Sequence, residues 1–148
     1  MFRSLEITAA RTVGTLSRRL GRGGGTTLPG KLAWKLDPTV VDALTRRLRD
    51  GTIAISATNG KTTTTAMVAG VLGQEGLAWN RSGANLASGI ASTLLAHGNA
   101  TRGLFEVDEF ALPLMAPRLQ PRVLTLANLF RDQLDRYGEL EHIAERWR

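Results

Sequence analysis

The chain has 148 residues, of which 43% are hydrophobic, and its 19 Lys and Arg outnumber its 13 Asp and Glu to give a net charge of +6. This length corresponds to about one domain. The absence of cysteine excludes disulfides and thiolate metal sites within the chain. No apolar run approaches the roughly 18 residues of a membrane span and no secretory signal opens the chain, so we expect a cytoplasmic protein. The basic charge is compatible with nucleic acid, an anionic membrane surface or an anionic small ligand.

The first 25 residues predict a helix followed by a flexible glycine run. Leu5, Val13 and Leu20 recur at helical spacing and predict a helix over 5–20. Glycines at positions 21 and 23 to 25 end it. An Arg-rich, acid-poor N-terminus is compatible with a transit peptide or a membrane-surface helix. We favour a solvated helix that packs on the domain.

A second helix is expected after a loop-like segment. Residues 26–36 contain Pro29 and Gly30 and predict a loop with a short turn of helix. Asp37 is the expected N-cap of the next helix and Pro38 its first residue. Gly51 is expected to close that helix, so residues 1–50 form a predicted N-terminal helical segment.

The stretch from residue 52 to residue 65 predicts a strand, a small-residue turn and a helix. Backbone N–H groups of such a turn and the positive end of the helix point at the same anion. Lys61 would add charge for the outer phosphates and the Thr62 hydroxyl would bind Mg²⁺. The general pattern G-x-x-x-x-G-K-[ST] requires glycine five residues before Gly60, where this chain has Ile55. The plainer alternative is an ordinary turn with Thr or Asn as helix N-cap.

Strands and helices alternate along the rest of the chain. The expected elements are a helix at 61–75 closed by Gly76, a strand at 77–79, a helix at 85–96, a strand at 104–109, a helical piece at 111–116, a strand at 123–127 and a helix from about 139. The alternation predicts an α/β fold with a mainly parallel sheet and flanking helices. The apolar run at 123–127 is typical of a strand buried on both faces.

Polar clusters follow three of the predicted strands, at the edge where α/β sheets bind ligands. The loop after residue 56 is the first, and Glu106, Asp108 and Glu109 form the second. In an extended strand Glu106 and Asp108 share one face and Glu109 takes the other, so all three bind one metal only if the strand ends within the motif. The third cluster begins at Asn128. Solvation at a strand end is the alternative for any single acid.

The residues from Ala57 to Thr64 resemble the ATP loop of the Mur ligase family, Gly-Thr-Asn-Gly-Lys-Thr, which also lacks the distal glycine. Ala57 replaces its usual first glycine, at a cost on the order of 1 kcal/mol if that position has positive φ. Glu106 is similar to the family carboxylate that helps bind a second Mg²⁺, with Glu109 as the alternative register. Residues 128–138 resemble the family motif Asn-x-x-x-Asp-His-x-Asp, with Gln133 in place of a metal-associated His.

The chain resembles one subgroup of the family, an amidating ligase, more closely than it resembles the others. Its likeness lies in residues 128–140, in the loop 80–85 and in the stretch 23–31, and it extends from about residue 20 to the end. The resemblance implies that residues 51–148 are an incomplete central ATP-binding domain. Such ligases are longer, so we expect an N-terminal fragment that is inactive alone.

The resemblance implies an ATP- and Mg²⁺-dependent ligase of peptidoglycan synthesis. It would phosphorylate the α-carboxylate of D-glutamate in the lipid II stem peptide, and ammonia from a GatD-type glutaminase subunit would give D-isoglutamine. The implied catalytic residues are Lys61, Asp132 and Gln133, with Gln133 orienting substrate or metal-bound water. The implied nucleotide-binding residues are Ala57, Thr58, Asn59, Gly60, Lys61, Thr62, Thr63 and Asn128. The implied substrate-binding residues are Asn80, Arg81 and Asn85. The implied metal-binding residues are Thr62, Glu106 and Glu109.

Two alternatives belong to different classes. The chain could be another Mur-type amino-acid ligase or a folylpolyglutamate ligase, or it could be a non-catalytic module that binds nucleotide or nucleic acid. With one Tyr and four Phe, the chain has few aromatic side chains on which nucleic-acid bases could stack. The acids at the strand ends also disfavour a phosphate-backbone surface, so we expect no nucleic-acid partner. Membrane association is expected only through the lipid-linked substrate.

Overall fold

The computed structural model describes residues 27–81, 83–130, 143–145 and 147. Helices and strands alternate in the order α1 (Leu28–Leu36), α2 (Val40–Thr45), β1 (Gly51–Ser56), α3 (Lys61–Leu72), β2 (Leu77–Trp79), α4 (Ala87–Ala96), β3 (Arg102–Glu106), α5 (Leu112–Leu119) and β4 (Val123–Leu126). The expected helix over 5–20 and the start of the expected helix near 139 lie outside these residues. None of the described helices combines the length and apolar character needed to cross a bilayer.

The four strands form one parallel sheet in the order β2-β3-β1-β4. Ile53 of β1 lies opposite Leu104 of β3 on one side and opposite Val123 of β4 on the other. The predicted α/β fold with a parallel sheet and flanking helices is therefore confirmed. Because β1 is an inner strand, the loop after Ser56 emerges between two neighbouring strand ends, at the carboxyl edge where such sheets bind ligands.

Alternate side chains of the strands face two different helical layers. Ile55 and Leu104 pack with Ala69 of α3 on one face. Ala54 and Phe105 face the opposite layer, which holds the larger core. That core takes side chains from α1, α2, α4 and α5, so the first two described helices pack on the same core as the sheet. The expected domain boundary at residue 50 stays a prediction.

Residues 28–36 form a nine-residue helix, α1, and the expectation of a loop there is wrong. Pro29 lies in the first turn, where its missing N–H group is not needed. Gly30 lets α1 approach α4, and its N–H donates to Ser92 Oγ at 2.8 Å. The two residues that indicated a loop are thus a helix start and a close helix contact.

Helix boundaries differ from expectation where single residues have special geometry. The N-cap of α2 is Thr39 rather than Asp37, and Thr39 makes no side-chain capping bond. Asp37 caps the turn before the helix instead, where its carboxylate accepts hydrogen bonds from the Thr39 N–H group and hydroxyl. Helix α2 ends at Thr45, well before Gly51, which begins β1. Helix α3 ends at Leu72 rather than at residue 75, since Gly73 has φ of 74° and stops it.

Two later elements also differ from expectation. Helix α4 begins at Ala87 rather than at residue 85, and α5 extends to Leu119 rather than to residue 116. The prediction that β4 is buried on both faces is wrong in the described part of the chain. Val123 is 52% exposed and Leu126 is 45% exposed, because within the described residues β4 makes its main contacts with β1 and not with a helix on either face.

We expect alanine at Gly30 and at Gly70 to have opposite effects on stability. A Cβ at Gly30 would lie 1.9 Å from Ser88 O and 2.5 Å from Ser92 Oγ, whereas a Cβ at Gly70 meets nothing within 4 Å. Gly30→Ala should therefore lower the free energy of unfolding by about 1–3 kcal/mol through overpacking. Gly70→Ala should raise it by about 0.5–1 kcal/mol, because alanine loses less backbone entropy in a helix. Urea unfolding of both variants measures this, and a Gly30→Ala variant as stable as the parent chain would contradict the packing of α1 on α4.

Candidate functional site

The Gly-Lys-Thr loop, defined as residues 57–62, connects the end of β1 to the start of α3. Its first residues, Ala57 and Thr58, are buried, and Asn59 and Gly60 are exposed. Gly60 is the N-cap of α3 and has φ of 80°, a left-handed conformation that favours glycine. Among the described non-glycine residues Gln120 alone has positive φ. Ala57 is therefore unstrained, and replacing glycine at this position carries no backbone penalty.

Ile55 belongs to the strand and not to the turn. It is 1% exposed, packs in the core on the α3 face and lies opposite Glu106 in the sheet. Its carbonyl oxygen accepts a hydrogen bond from the Val107 N–H group at 2.9 Å. Because β1 extends through Ser56, the turn before Gly60 is shorter than in the general glycine-rich pattern, and no glycine is required at residue 55.

The Lys61 ammonium group is bound within the loop and to β3. Its Nζ donates to the carbonyl oxygens of Ala57 and Thr58, the latter at 3.0 Å. It also forms an ion pair at 3.0 Å with Glu109 Oε2, and the two side chains are only 11% and 5% exposed. A mostly buried positive charge thus lies at the N-terminus of α3, where the helix dipole also attracts anions.

Glu106, the last residue of β3, contacts the loop from the neighbouring strand. It is 1% exposed, and its Oε2 accepts a hydrogen bond from Thr62 Oγ1 at 2.9 Å. Its Oε1 accepts one from Asn85 Nδ2 at 3.1 Å. Both donors are neutral, and no cationic side chain of the described residues pairs with this carboxylate. A buried carboxylate with neutral partners retains strong affinity for a cation.

The acidic cluster separates into three different roles because β3 ends at Glu106. The expectation of a strand through residue 109 is wrong. Asp108 Oδ1 accepts hydrogen bonds from the N–H groups of Phe110 and Ala111 at 3.0 and 3.3 Å, in the turn that leads into α5. The Glu109 side chain then accepts a hydrogen bond from Lys61 Nζ. The early end of the strand lets Glu106 and Glu109 contact the same loop, which an extended strand would prevent.

Asn80 is buried beneath Glu106. It is 1% exposed; its Oδ1 accepts from the Glu106 N–H group at 2.8 Å, and its Nδ2 donates to the Glu106 carbonyl at 2.7 Å and to the Ala84 carbonyl at 2.9 Å. These bonds occupy both amide donors. The structure therefore gives Asn80 a positioning role for the end of β3. No local signal identifies it, because its partner lies 26 residues away.

The other two expected substrate residues lie on different sides of this region. Asn85 contacts the Glu106 carboxylate directly. Arg81 stacks 4.7 Å from the Trp79 ring centroid and donates to Gln74 Oε1 at 2.7 Å, in the turn that precedes β2. The structure thus brings Asn85 to the loop, whereas the contacts of Arg81 lead away from it.

Asn128 connects the end of β4 to the Gly-Lys-Thr loop. Its backbone carbonyl accepts from the Thr58 N–H group at 2.7 Å. Its side-chain amide exchanges two hydrogen bonds with the Asn59 backbone, at 2.9 and 3.0 Å. These bonds hold the loop in place on the side away from Glu106. Thr63 is exposed in the first turn of α3, and Asp132 and Gln133 lie outside the described residues.

The oxygen atoms of Thr62 and Glu106 are the donors best placed for a metal ion. Within the described part of the chain, no group of three or more His, Cys, Asp or Glu side chains could hold a metal. A hydroxyl and one carboxylate fit Mg²⁺, which commonly keeps waters and substrate phosphates as its remaining ligands. Glu109 is paired with Lys61 instead.

Fold and site together define a parallel α/β domain with a glycine-containing strand–loop–helix turn at the carboxyl edge of its sheet. This arrangement suits a phosphate-bearing ligand. The model of the Mur ligase middle domain matches residues 55–147. The chain belongs to the Mur ligase family.

Within the family, the chain is similar to two kinds of ligase. The chain is 37% identical over 145 residues to the lipid II isoglutaminyl synthase (glutamine-hydrolysing) subunit MurT of Streptococcus pneumoniae, covering 93% of this chain and 31% of that protein. It is 36% identical over 129 residues to the MurT subunit of Staphylococcus aureus strain N315, covering 84% and 29%. The UDP-N-acetylmuramoylalanine–D-glutamate ligase of Nitrobacter winogradskyi is 38% identical over 96 residues, covering 63% and 19%. The chain thus spans about a third of the length of the MurT relatives.

Proposed function

We propose that this chain is the nucleotide-binding part of an ATP-dependent carbon–nitrogen ligase of peptidoglycan synthesis. The observation that carries the proposal is the 2.9 Å hydrogen bond between the Thr62 hydroxyl and the buried Glu106 carboxylate. It joins the first turn of α3, where phosphates would bind, to a carboxylate whose oxygens can also bind a cation. An ordinary strand-to-helix turn has no need for a buried carboxylate at this point.

The last residues of the loop bind the phosphates. Backbone N–H groups of residues 60–62, at the N-terminus of α3, face the anion, whereas those of Thr58 and Asn59 donate to Asn128 and hold the loop in place. Lys61 would neutralise the outer phosphates once they replace the carbonyl oxygens of Ala57 and Thr58, because its three donors are all engaged in the described structure. Thr62 and Glu106 would hold Mg²⁺, which when bound neutralises charge that develops on the phosphates. We assign this role to Glu106 rather than to Glu109, because Glu109 is already paired with Lys61.

The reaction that fits these groups activates a carboxylate. A carboxylate oxygen attacks the γ-phosphorus of ATP, the bond to the bridging oxygen breaks, and ADP leaves. Ammonia then attacks the carbonyl carbon of the acyl phosphate, inorganic phosphate leaves with the bonding electron pair, and a proton is released as the amide forms. The chain's own contribution is to align and neutralise the phosphates.

The names of the relatives support a particular substrate and a partner. Two of them are subunits of a lipid II isoglutaminyl synthase that hydrolyses glutamine. We therefore propose that the acceptor is the α-carboxylate of D-glutamate in lipid II and that a glutaminase subunit supplies ammonia. The protein would act in the cytoplasm and meet the membrane through its lipid-linked substrate. Asp132 and Gln133 remain proposed catalytic residues, and Asn85 a proposed substrate contact.

The replacement Glu106→Gln tests the proposal. It keeps the size of the side chain and an acceptor for Thr62, but it removes the charge and the second acceptor, to which Asn85 Nδ2 now donates. In the full-length protein with its glutaminase partner, glutamine-dependent amidation of lipid II should fall at least about 100-fold, the effect typical of losing one electrostatic contact to the reacting group. The matched control is Glu75→Gln, an exposed carboxylate in the turn before β2, which should leave the rate unchanged.

The same assay separates the alternatives. Incorporation of an amino acid instead of ammonia would assign the chain to another Mur-type ligase, such as the D-glutamate ligase that it also resembles. Full amidation activity in Glu106→Gln would contradict the assigned metal site. Salt-sensitive DNA binding without ATP binding would overturn the proposal altogether.

A further inference from the structure

A basic cavity lies at the end of the sheet opposite the Gly-Lys-Thr loop. Its volume is about 230 Å³, and its lining includes Arg46, Arg49, Arg118 and Arg122 together with the acidic residue Asp42. Gly51 and Thr52, the first residues of β1, also line it. Since β1 rises by roughly 3.3 Å per residue, the cavity lies about 20 Å from the loop that follows Ser56. It is therefore separate from the proposed nucleotide site.

The four arginines differ in whether another group of the protein already binds their side chains. Arg118 NH1 donates to Asp42 Oδ2 at 2.8 Å and to the Pro38 carbonyl at 3.0 Å. No hydrogen bond or ion pair engages the side chains of Arg46, Arg49 or Arg122 within the residues that the structure describes. Asp42 neutralises one of the four, so the cavity keeps an excess of three positive charges.

We propose that this cavity binds a small phosphate-bearing anion, with Arg46, Arg49 and Arg122 supplying the charged hydrogen bonds. The planar guanidinium group donates to phosphate oxygens in pairs. A volume of about 230 Å³ lies below the range of roughly 300–1,000 Å³ that is usual for drug-sized ligands. A phosphate group or a small phosphorylated metabolite fits this volume. This site does not depend on the proposed ligase function.

Titration of the protein with inorganic phosphate tests the proposal. Amide NMR shifts should change around residues 45–52 and 118–122, apart from any changes at residues 57–62. Arg49→Gln should weaken the binding at 45–52 by about tenfold or more, as expected for a lost charged hydrogen bond.

Arg47→Gln is the matched control. Arg47 is exposed, as Arg46 and Arg49 are, but unlike them it does not line the cavity. This variant loses the same charge and should bind phosphate like the parent chain. Equal weakening in Arg47→Gln and Arg49→Gln would reduce the effect to general charge attraction and overturn the site. Shifts confined to residues 57–62, or a response at 45–52 only to mixed-sequence single-stranded DNA or to anionic lipid vesicles, would also overturn it.

Discussion

Replacing Lys61 with alanine is expected to reduce ligase turnover in the full-length protein by at least about 100-fold, because the outer phosphates lose a positioned charge. The same change should lower the free energy of unfolding by about 3–5 kcal/mol, the cost typical of removing one partner of a buried ion pair. Its partner Glu109 is 4% exposed and would keep an uncompensated charge. Coupled ATP hydrolysis and urea unfolding measure the two effects.

A second replacement separates the two roles of Lys61. Lys61→Ala combined with Glu109→Gln removes the unpaired carboxylate and should recover most of the lost stability. It should not recover turnover, because the phosphates still lack the ammonium group. Recovery of both quantities would show that Lys61 acts only through the ion pair, and the assignment of the loop to phosphate binding would then fail.

The order of strand, loop and helix around Gly60 could be predicted because each part has a local signal. A β-branched run precedes small residues, and apolar residues at helical spacing follow Lys61. The acids at the end of β3 were likewise visible as a cluster after an apolar run. Parallel topology then brings both features to one edge of the sheet.

The contacts between these features could not be predicted, because they depend on where β3 ends. The amide of Asn80, 26 residues earlier in the chain, binds the backbone of Glu106, and the turn capped by Asp108 follows at once. Neither signal is local to the strand. The pairing of Lys61 with Glu109, 48 residues apart, follows from that turn and equally has no sequence signature.

Helix α1 could not be predicted from the sequence for a different reason. Proline and glycine indicate a loop by composition, and propensity alone favours that interpretation of Pro29 and Gly30. The packing of α1 against α4 reverses it, since a glycine at the contact allows the two helices to approach. Tertiary contacts of this kind override local propensity.

We expect Asn80→Asp to disable the site without touching a phosphate ligand. Aspartate is the same size, but it replaces the Nδ2 donor with an oxygen that faces the carbonyl oxygens of Glu106 and Ala84. Those contacts are now hydrogen bonds of 2.7 and 2.9 Å. Losing two buried hydrogen bonds should lower the free energy of unfolding by about 2–4 kcal/mol. Because the bonds set the backbone of Glu106, affinity for MgATP should also fall.

The control for this prediction is Asn99→Asp, at an exposed asparagine in the turn after α4. It adds the same charge and should change the free energy of unfolding by no more than about 0.5 kcal/mol. Urea unfolding and MgATP titration of both variants separate a change in global stability from a change at Glu106. If Asn80→Asp unfolds and binds like Asn99→Asp, the buried amide does not position β3. A loss of stability with unchanged MgATP affinity, measured where the variant is fully folded, would show that Asn80 supports the fold but not the orientation of Glu106.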